Sequence, residues 1–200
     1  MGTILITGFE PFGGEAVNAS WEAAQRLDGW RCGDDVAAAV MLPCIYGASV
    51  EAFVAAFERT RPIAALMTGQ AARRGVVCVE RFARNVANAS RPDNRGVAPG
   101  AAGLDPGPER LETTAQANAI VRAIREAGAP ARISTNAGDY VCNHLYYGAL
   151  QYLRGVSPVT PAVFLHLPAT PEQAPPRASR RRLPTADAVR ALKAAAGVLG

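Results

Sequence analysis

Short apolar runs alternate with amphipathic stretches along most of this 200-residue chain. Apolar runs of about four to eight residues between turn-forming residues are typical of buried strands, and apolar positions three and four apart are typical of helices. The strands predicted in this way are Thr3–Thr7, Val36–Leu42, Ile63–Thr68, Ala131–Ser134 and Ala162–Leu167. The predicted helices are Asn18–Leu27, Ala48–Thr60, Thr113–Ala127, Val141–Arg154 and Ala186–Ala196. Two further runs, Val76–Val79 and Arg81–Val86, predict a strand pair or a hairpin inside a polar region.

Strands separated by helices predict a single α/β domain: a three-layer α/β/α arrangement with a mostly parallel twisted sheet and helices on both faces. Ligands of such sheets bind beyond the carboxyl ends of the strands. Three loops at strand ends carry unusual residues, namely Gly8–Gly14, Gly69–Arg74 and Asn136–Cys142. The first loop lacks a phosphate-binding glycine pattern. Its Phe9 and Phe12 either wall an apolar pocket or plug the end of the sheet.

Composition and charge exclude several classes of protein. The four cysteines are scattered and only two histidines are present, so neither a metal site nor a disulfide framework is expected. No apolar run is long enough to span a membrane, and the first residues lack the basic segment of a signal peptide. We therefore expect a reduced, cytoplasmic protein. The net charge of +4 is mild. The basic run Arg177–Arg182 has no interleaved aromatic residues, which favours a solvated linker over a nucleic-acid site.

Cys142 lies in the first turn of the amphipathic helix predicted over Val141–Arg154, and Asp139 is an acceptable N-cap just before it. Free backbone N–H groups and the positive end of the helix dipole favour the thiolate, which is the nucleophilic form of cysteine. The alternative is a small buried residue at a helix start, since free cysteine usually lies in the core.

A cysteine nucleophile needs an imidazole within hydrogen-bond reach, and that imidazole is oriented by a third group. His144 lies two residues beyond Cys142 on the same helix and is turned roughly 200° away from it. His166 ends a buried apolar run, so it is the predicted base, unless it only caps the edge of a strand. Spacing alone cannot select the third group among 17 carboxylates. Glu80 follows a strand-like run, but such a glutamate is equally typical of an exposed edge.

Four motifs stand in register between residue 3 and about residue 173. They are Thr7–Gly14 with Asn18–Trp21, Gly69–Ala71 with Glu80–Asn85, Asn136–Gly148, and Phe164–Pro168 with Pro171–Gln173. Together they resemble the type I pyroglutamyl peptidase (pyrrolidone-carboxylate peptidase) family of cysteine peptidases. The resemblance implies hydrolysis of the bond after an N-terminal pyroglutamyl residue through a thioester acyl-enzyme. It implies no metal or organic cofactor, no nucleic-acid or membrane partner, and self-association as a dimer or tetramer.

The resemblance also assigns roles to residues. Cys142 matches the nucleophile, His166 the general base and acid, and Glu80 the carboxylate that orients the histidine. The positions matching the wall around the pyrrolidone ring are Phe9, Phe12 and Val141. The positions that hydrogen-bond the lactam, or support the loops that do so, are Asn18 and the Gln70 backbone. Backbone N–H groups near Cys142 and in the Gly69–Ala71 turn are expected to stabilise the oxyanion.

The chain departs from the family pattern around the site. The family usually has Ala-Arg-Ile-Pro-Asp-Asn where this chain has Ala89–Asn94, so Ser90 replaces an arginine and Arg91 an apolar pocket residue. Either Arg91 enters the pocket, as a substrate-binding residue, or the electrostatics of the site are weakened. Asp139 places a carboxylate near the nucleophile and is expected to raise the pKa of Cys142. Two alternatives follow: a catalytically weakened homologue that binds pyroglutamyl-capped peptides, and a related cysteine amidohydrolase.

Overall fold

A computed structural model describes residues 1–100, 106–173 and 182–200. The strands are β1 Thr3–Phe9, β2 Arg31–Cys32, β3 Asp35–Leu42, β4 Ala64–Gln70, β5 Val77–Glu80, β6 Phe82–Arg84, β7 Arg110–Glu112, β8 Ala131–Ser134 and β9 Ala162–Leu167. The α-helices are α1 Ala19–Ala24, α2 Ala48–Thr60, α3 Ala117–Glu126, α4 Val141–Val156 and α5 Thr185–Leu199. A 3₁₀ turn over Gln25–Leu27 continues α1.

Seven of these strands form a sheet in the order β2-β3-β1-β4-β9-β5-β8. The pairs β3–β1, β1–β4, β4–β9 and β5–β8 are parallel, whereas β2–β3 and β5–β9 are antiparallel. The predicted mostly parallel sheet is therefore confirmed. Its register places Gly69 of β4 and Cys78 of β5 on either side of His166 in β9.

Helices cover both faces of the sheet because successive side chains of each strand point to opposite sides. In β9, Val163 and Leu165 pack into a core with residues of α1, α3 and α5. Phe164, between them, packs into a second core with residues of α2 and α4. The first core is built from buried aliphatic side chains, and the second from buried aliphatic and aromatic ones. This arrangement confirms the predicted α/β/α layers and puts the even-numbered residues of β9, His166 included, on the face that α4 covers.

The hairpin predicted across residues 76–86 is wrong. β5 joins the main sheet between β9 and β8, whereas β6 pairs antiparallel with β7 in a separate two-stranded sheet. Only Arg81 separates β5 from β6, which is fewer residues than the shortest common hairpin loop needs. The chain therefore leaves the main sheet at Arg81, directly after Glu80.

Side-chain hydrogen bonds help to set where helices α1 and α3 begin. Helix α3 begins at Ala117 rather than Thr113, because the Thr113 hydroxyl donates to the Ala162 carbonyl at 2.8 Å. Asn18 does cap α1, and its Oδ1 accepts from the Ser20 N–H at 3.0 Å. The prediction that Asp139 caps α4 is wrong: the N-cap position is Tyr140 and no side chain bonds there.

Most of the basic run predicted as a linker lies outside the described residues. Arg182, at its end, is not a freely solvated side chain. Its Nη1 donates to the carbonyl oxygens of Thr170 at 3.2 Å and Gln173 at 2.9 Å. Within the described ranges, no helix has both the length and the apolar character needed to cross a bilayer.

Candidate active site

Cys142 lies against the end of the sheet because Gly69 leaves room for its sulfur atom. A Cβ atom added to Gly69 would lie 2.8 Å from Cys142 Sγ and 2.8 Å from Phe164 Cζ. Gly69 is also the register partner of His166. Cys142 and His166 line one cavity of about 490 Å³. The fold therefore brings together the nucleophile and the base that were predicted from sequence.

His166 is held by a buried carboxylate. Its Nδ1 lies 2.8 Å from Oε1 of Glu80, which is fully buried. An ionised carboxylate only accepts hydrogen bonds, so Nδ1 carries the proton and Nε2 is left as the basic nitrogen. The same Glu80 oxygen also accepts from Arg74 Nη1 at 2.5 Å. Glu80 therefore occupies the position of the orienting third group that the resemblance implied.

The resting protonation states are neutral. Burial raises the pKa of the Cys142 thiol, Cys44 and Glu80 raise it further, and Arg74 and the Cys142 backbone N–H only partly oppose them. Burial thus outweighs the helix start, which was expected to favour the thiolate. Burial also lowers the pKa of His166, as does Arg74, against the opposite effect of Glu80. The surroundings of the two groups therefore favour a neutral thiol and a neutral imidazole in the same cavity, so a proton has to leave the thiol when it attacks.

The other histidine belongs to an aromatic group beside the cavity. The His144 ring packs edge-on against Tyr46 with centroids 5.4 Å apart. Tyr46 in turn meets Tyr140 at 5.8 Å, and Tyr140 meets Phe12 at 5.9 Å. The Tyr140 hydroxyl donates to the Pro92 carbonyl at 3.0 Å. These contacts hold the loops around the cavity in place.

Three of the predicted substrate-binding residues line the cavity, namely Phe12, Gln70 and Arg91. Three others are buried and do not line it, namely Phe9, Asn18 and Val141. Asn18 acts on the wall indirectly, because its Nδ2 donates to the Glu10 carbonyl at 2.9 Å and so helps to hold the loop that carries Phe12. The roles of Phe9 and Val141 as contacts of a pyrrolidone ring stay predictions.

Gln70 is fixed from two sides. Its Oε1 accepts from the Ala19 N–H at 2.7 Å and from Gln173 Nε2 at 3.0 Å. One expected oxyanion donor is not available, because the Ala71 N–H donates to the Leu167 carbonyl at 2.8 Å. The first N–H groups of a helix have no acceptor within the helix. The Cys142 N–H, in the first turn of α4, is therefore the better candidate donor.

Sequence reasoning missed the supporting roles of two residues. Asn143 is fully buried, and its amide makes three hydrogen bonds of 2.8 to 2.9 Å to the Arg84 N–H and to the carbonyls of Arg84 and Val86. It ties the Cys142 helix to the segment that follows Glu80. Arg74 contacts Glu80 itself. Its place at the end of the Gly69–Arg74 loop was a signal in the sequence, but its contact with Glu80 was not.

Comparison with known proteins agrees with this geometry. The profile of the pyroglutamyl peptidase family matches residues 2–199. The pyrrolidone-carboxylate peptidase of Gloeobacter violaceus is 44% identical over 86% of this chain and 83% of its own length. That of Chromobacterium violaceum is 43% identical over 98% of this chain and 91% of its own. The crystal structure of pyroglutamyl peptidase I from Bacillus amyloliquefaciens superposes with a TM-score of 0.95 at 34% identity, covering 100% of this chain and 97% of that one.

The chain belongs to the pyroglutamyl peptidase family.

Charged residues lie on the cavity wall. Arg91 lines the cavity, and its guanidinium lies 4.9 Å from the centroid of the Phe12 ring. The structure therefore places Arg91 at the cavity rather than away from it. Asp139 lines the same cavity, but the pKa of Cys142 is raised by burial, Cys44 and Glu80.

Among the described residues, no three histidine, cysteine, aspartate or glutamate side chains are grouped so that they could hold a metal ion.

Proposed function

We propose that the chain is a cysteine exopeptidase that hydrolyses the bond after an N-terminal pyroglutamyl residue. The observation that carries the proposal is the contact of His166 Nδ1 with buried Glu80, in the same cavity as Cys142, in a chain of the pyroglutamyl peptidase family. Cys142 is the proposed nucleophile, His166 the general base and acid, and Glu80 the group that orients the imidazole.

The reaction starts from the neutral pair. His166 Nε2 takes the thiol proton as Cys142 Sγ bonds to the pyroglutamyl carbonyl carbon, and Glu80 stabilises the imidazolium that forms. The Cys142 N–H stabilises the oxyanion. The C–N bond then breaks while His166 returns the proton to the leaving amine, which leaves a thioester on Cys142. Water, deprotonated by His166, attacks the thioester and releases pyroglutamate and the free thiol.

The cavity wall favours a neutral lactam over a free N-terminus. An ammonium group placed against Phe12 would lose part of its hydration, which is costly for a charged group. It would also face the guanidinium of Arg91, which lies over the same ring. Phe12 and Gln70 are the proposed direct contacts of the lactam, and Phe9, Val141 and Asn18 shape the wall behind them.

We further propose that the enzyme works in the reducing cytoplasm, where the Cys142 thiol is preserved, and that it forms a dimer or tetramer of identical chains. Light scattering on the purified protein measures the second point directly. A monomer at all concentrations would contradict it.

Cysteine variants test the reaction. Reduced wild type, Cys142→Ala and Cys32→Ala are compared for release of a fluorophore from a pyroglutamyl amide. Cys32 is the control, because it lies in β2 at the edge of the sheet and does not line the cavity. We expect wild-type turnover from Cys32→Ala and none from Cys142→Ala. Hydroxylamine added during turnover should divert the thioester into pyroglutamyl hydroxamate.

Three results would overturn the proposal. Folded, reduced wild type that binds pyroglutamyl peptides in calorimetry but does not cleave them would be the catalytically weakened binder. Hydrolysis of free lactams in preference to the pyroglutamyl amide would identify a cysteine amidohydrolase instead. Turnover that survives in Cys142→Ala would remove Cys142 from the mechanism.

A further inference from the structure

We infer that Arg74 is a positioning residue of this active site, which fixes Glu80, and through it His166, to the chain segment that leads into the Cys142 helix. The inference rests on the proposed function, because it concerns the same catalytic groups. Arg74 acts through Glu80 and does not line the cavity.

The contacts of Arg74 join three parts of the site. Its Nη1 donates to Glu80 Oε1 at 2.5 Å and to Ser134 Oγ at 3.0 Å, and its Nη2 donates to the Asn136 carbonyl at 2.7 Å. Arg74 itself lies in the loop that follows β4, the strand that contains Gly69. Glu80 ends β5, and Ser134 ends β8. One guanidinium thus links the loop after β4 to Glu80 at the end of β5 and to the segment after β8 that leads to the Cys142 helix.

The buried carboxylate needs such a partner. Glu80 is fully buried, and its Oε2 has no hydrogen-bond partner among the described residues. A buried charge is strongly destabilising unless it is paired, and removing one partner of such a pair leaves the other uncompensated. Since Oε1 accepts from both Arg74 and His166, the arginine fixes the same oxygen that orients the imidazole. A planar, bidentate donor suits this role better than the point charge of lysine.

Arg74 also sets the charge balance around His166. The titratable groups that face His166 are Cys142 and Tyr146 from α4, Cys78 and Glu80 from β5, and Arg74 from the loop after β4. The cavity beyond them is lined by charged residues, namely Arg73, Arg91 and Asp139. Arg74 lowers the pKa of both His166 and Cys142, in each case alongside larger effects of burial.

Removing the cation should therefore shift the pH profile in a known direction. Activity requires neutral His166, so its pKa sets the acid limb of kcat/KM. Without Arg74 the imidazolium loses a repulsive neighbour and keeps the attraction of Glu80, so the pKa of His166 rises. The acid limb then moves to higher pH, by about one unit for a charge at this range.

The experiment compares Arg74→Met, Arg74→Lys and the control Arg81→Met on the pyroglutamyl amide across pH. Arg81 precedes β6 and pairs at 2.8 Å with Glu112, and both side chains are about half exposed, so this ion pair contributes little. We expect Arg74→Met to lower kcat roughly 100-fold with KM little changed, as a misplaced catalytic group does. Arg74→Lys should keep the acid limb near wild type but recover only part of kcat. Arg81→Met should match wild type in both.

The outcomes separate this inference from the proposed function. If wild type does not cleave the pyroglutamyl amide, the proposed function fails. If wild type is active and folded Arg74→Met keeps the wild-type acid limb and kcat, only the role of Arg74 fails. Circular dichroism checks the folding of each variant. If Arg74→Met does not fold, Arg74→Lys decides, and wild-type kcat in that variant would overturn the positioning role.

Discussion

Replacing Gly69 with alanine tests the packing of the nucleophile most sharply. The added Cβ would lie 2.8 Å from Cys142 Sγ and 2.8 Å from Phe164 Cζ. Non-bonded heavy atoms normally rest about 3.5 to 4 Å apart, so one or both neighbours would have to move by roughly 0.7 to 1.2 Å. Phe164 is fully buried between the rings of Tyr146 and His166, at centroid distances of 5.6 and 4.9 Å. The thiol is the freer neighbour and is expected to move.

Two effects of known size follow from this displacement. Misplacing a reacting group by about 1 Å typically costs on the order of 100-fold in rate. We therefore expect kcat/KM of Gly69→Ala to fall about 100-fold. Over-packing a core also destabilises by about 1 to 3 kcal/mol. For a chain of this size, 1 kcal/mol corresponds to about 2 to 4 °C in Tm, so Tm should fall by roughly 2 to 12 °C.

Gly148→Ala is the matched control. Its Cβ would meet Val50 Cγ2 at 2.7 Å, an equally close contact but between α4 and α2 rather than at the thiol. We expect Gly148→Ala to lose stability while keeping wild-type kcat/KM. Gly155 lies in the same helix, and a Cβ atom added there would meet no other atom within 4 Å. Gly155→Ala should therefore raise the free energy of unfolding by about 0.5 to 1 kcal/mol through helix propensity. Wild-type kcat/KM in Gly69→Ala, or an equal loss in Gly148→Ala, would show that the added methyl group does not act by displacing the thiol.

Three further predictions follow from the site. Asn143→Ala leaves the backbone groups of Arg84 and Val86 without their side-chain partner. The free energy of unfolding measured by urea titration should therefore fall by roughly 3 kcal/mol, and an unchanged midpoint of unfolding would contradict this. Because burial raises the pKa of Cys142, its alkylation by iodoacetamide should be slow at neutral pH and rise only above about pH 8.5, the value of a free thiol. A rate plateau already reached at neutral pH would show that the helix start lowers the pKa of Cys142 by more than burial raises it. Arg91→Ala should lower kcat/KM about two- to five-fold more for a substrate with an acidic residue after pyroglutamate than for one with a lysine there, as expected of an exposed charge pair. Equal effects on the two substrates would count against a charge interaction.

The sequence predicted best those elements whose signal is local. Strands Ala131–Ser134 and Ala162–Leu167 and helix Ala48–Thr60 have their predicted bounds, because each is an apolar or amphipathic run between clear breakers. The strands β2 and β7 were missed because two or three residues carry no readable period. The separation of β5 from β6 was missed because each strand pairs with a distant segment, and that choice depends on tertiary packing.

The site divides in the same way. Cys142 and His166 were found because each lies at the end of an element, where local pattern and chemistry coincide. The contact between Glu80 and His166 joins residues 86 apart in the chain, so spacing could not select Glu80, and only the family resemblance did. The helix start that favours the Cys142 thiolate is visible in sequence, whereas the burial that raises the pKa of the thiol is not.

The proposed peptidase activity is tested most directly by comparing fluorophore release from a pyroglutamyl amide and from the matching prolyl amide by reduced wild type. The two substrates differ only in the lactam carbonyl. The ring nitrogen of pyroglutamate is a neutral amide because of that carbonyl, whereas the ring nitrogen of proline is a charged amine. We expect turnover of the pyroglutamyl amide and none of the prolyl amide. Equal or faster cleavage of the prolyl amide, or a folded and reduced enzyme that leaves the pyroglutamyl amide intact, would contradict it.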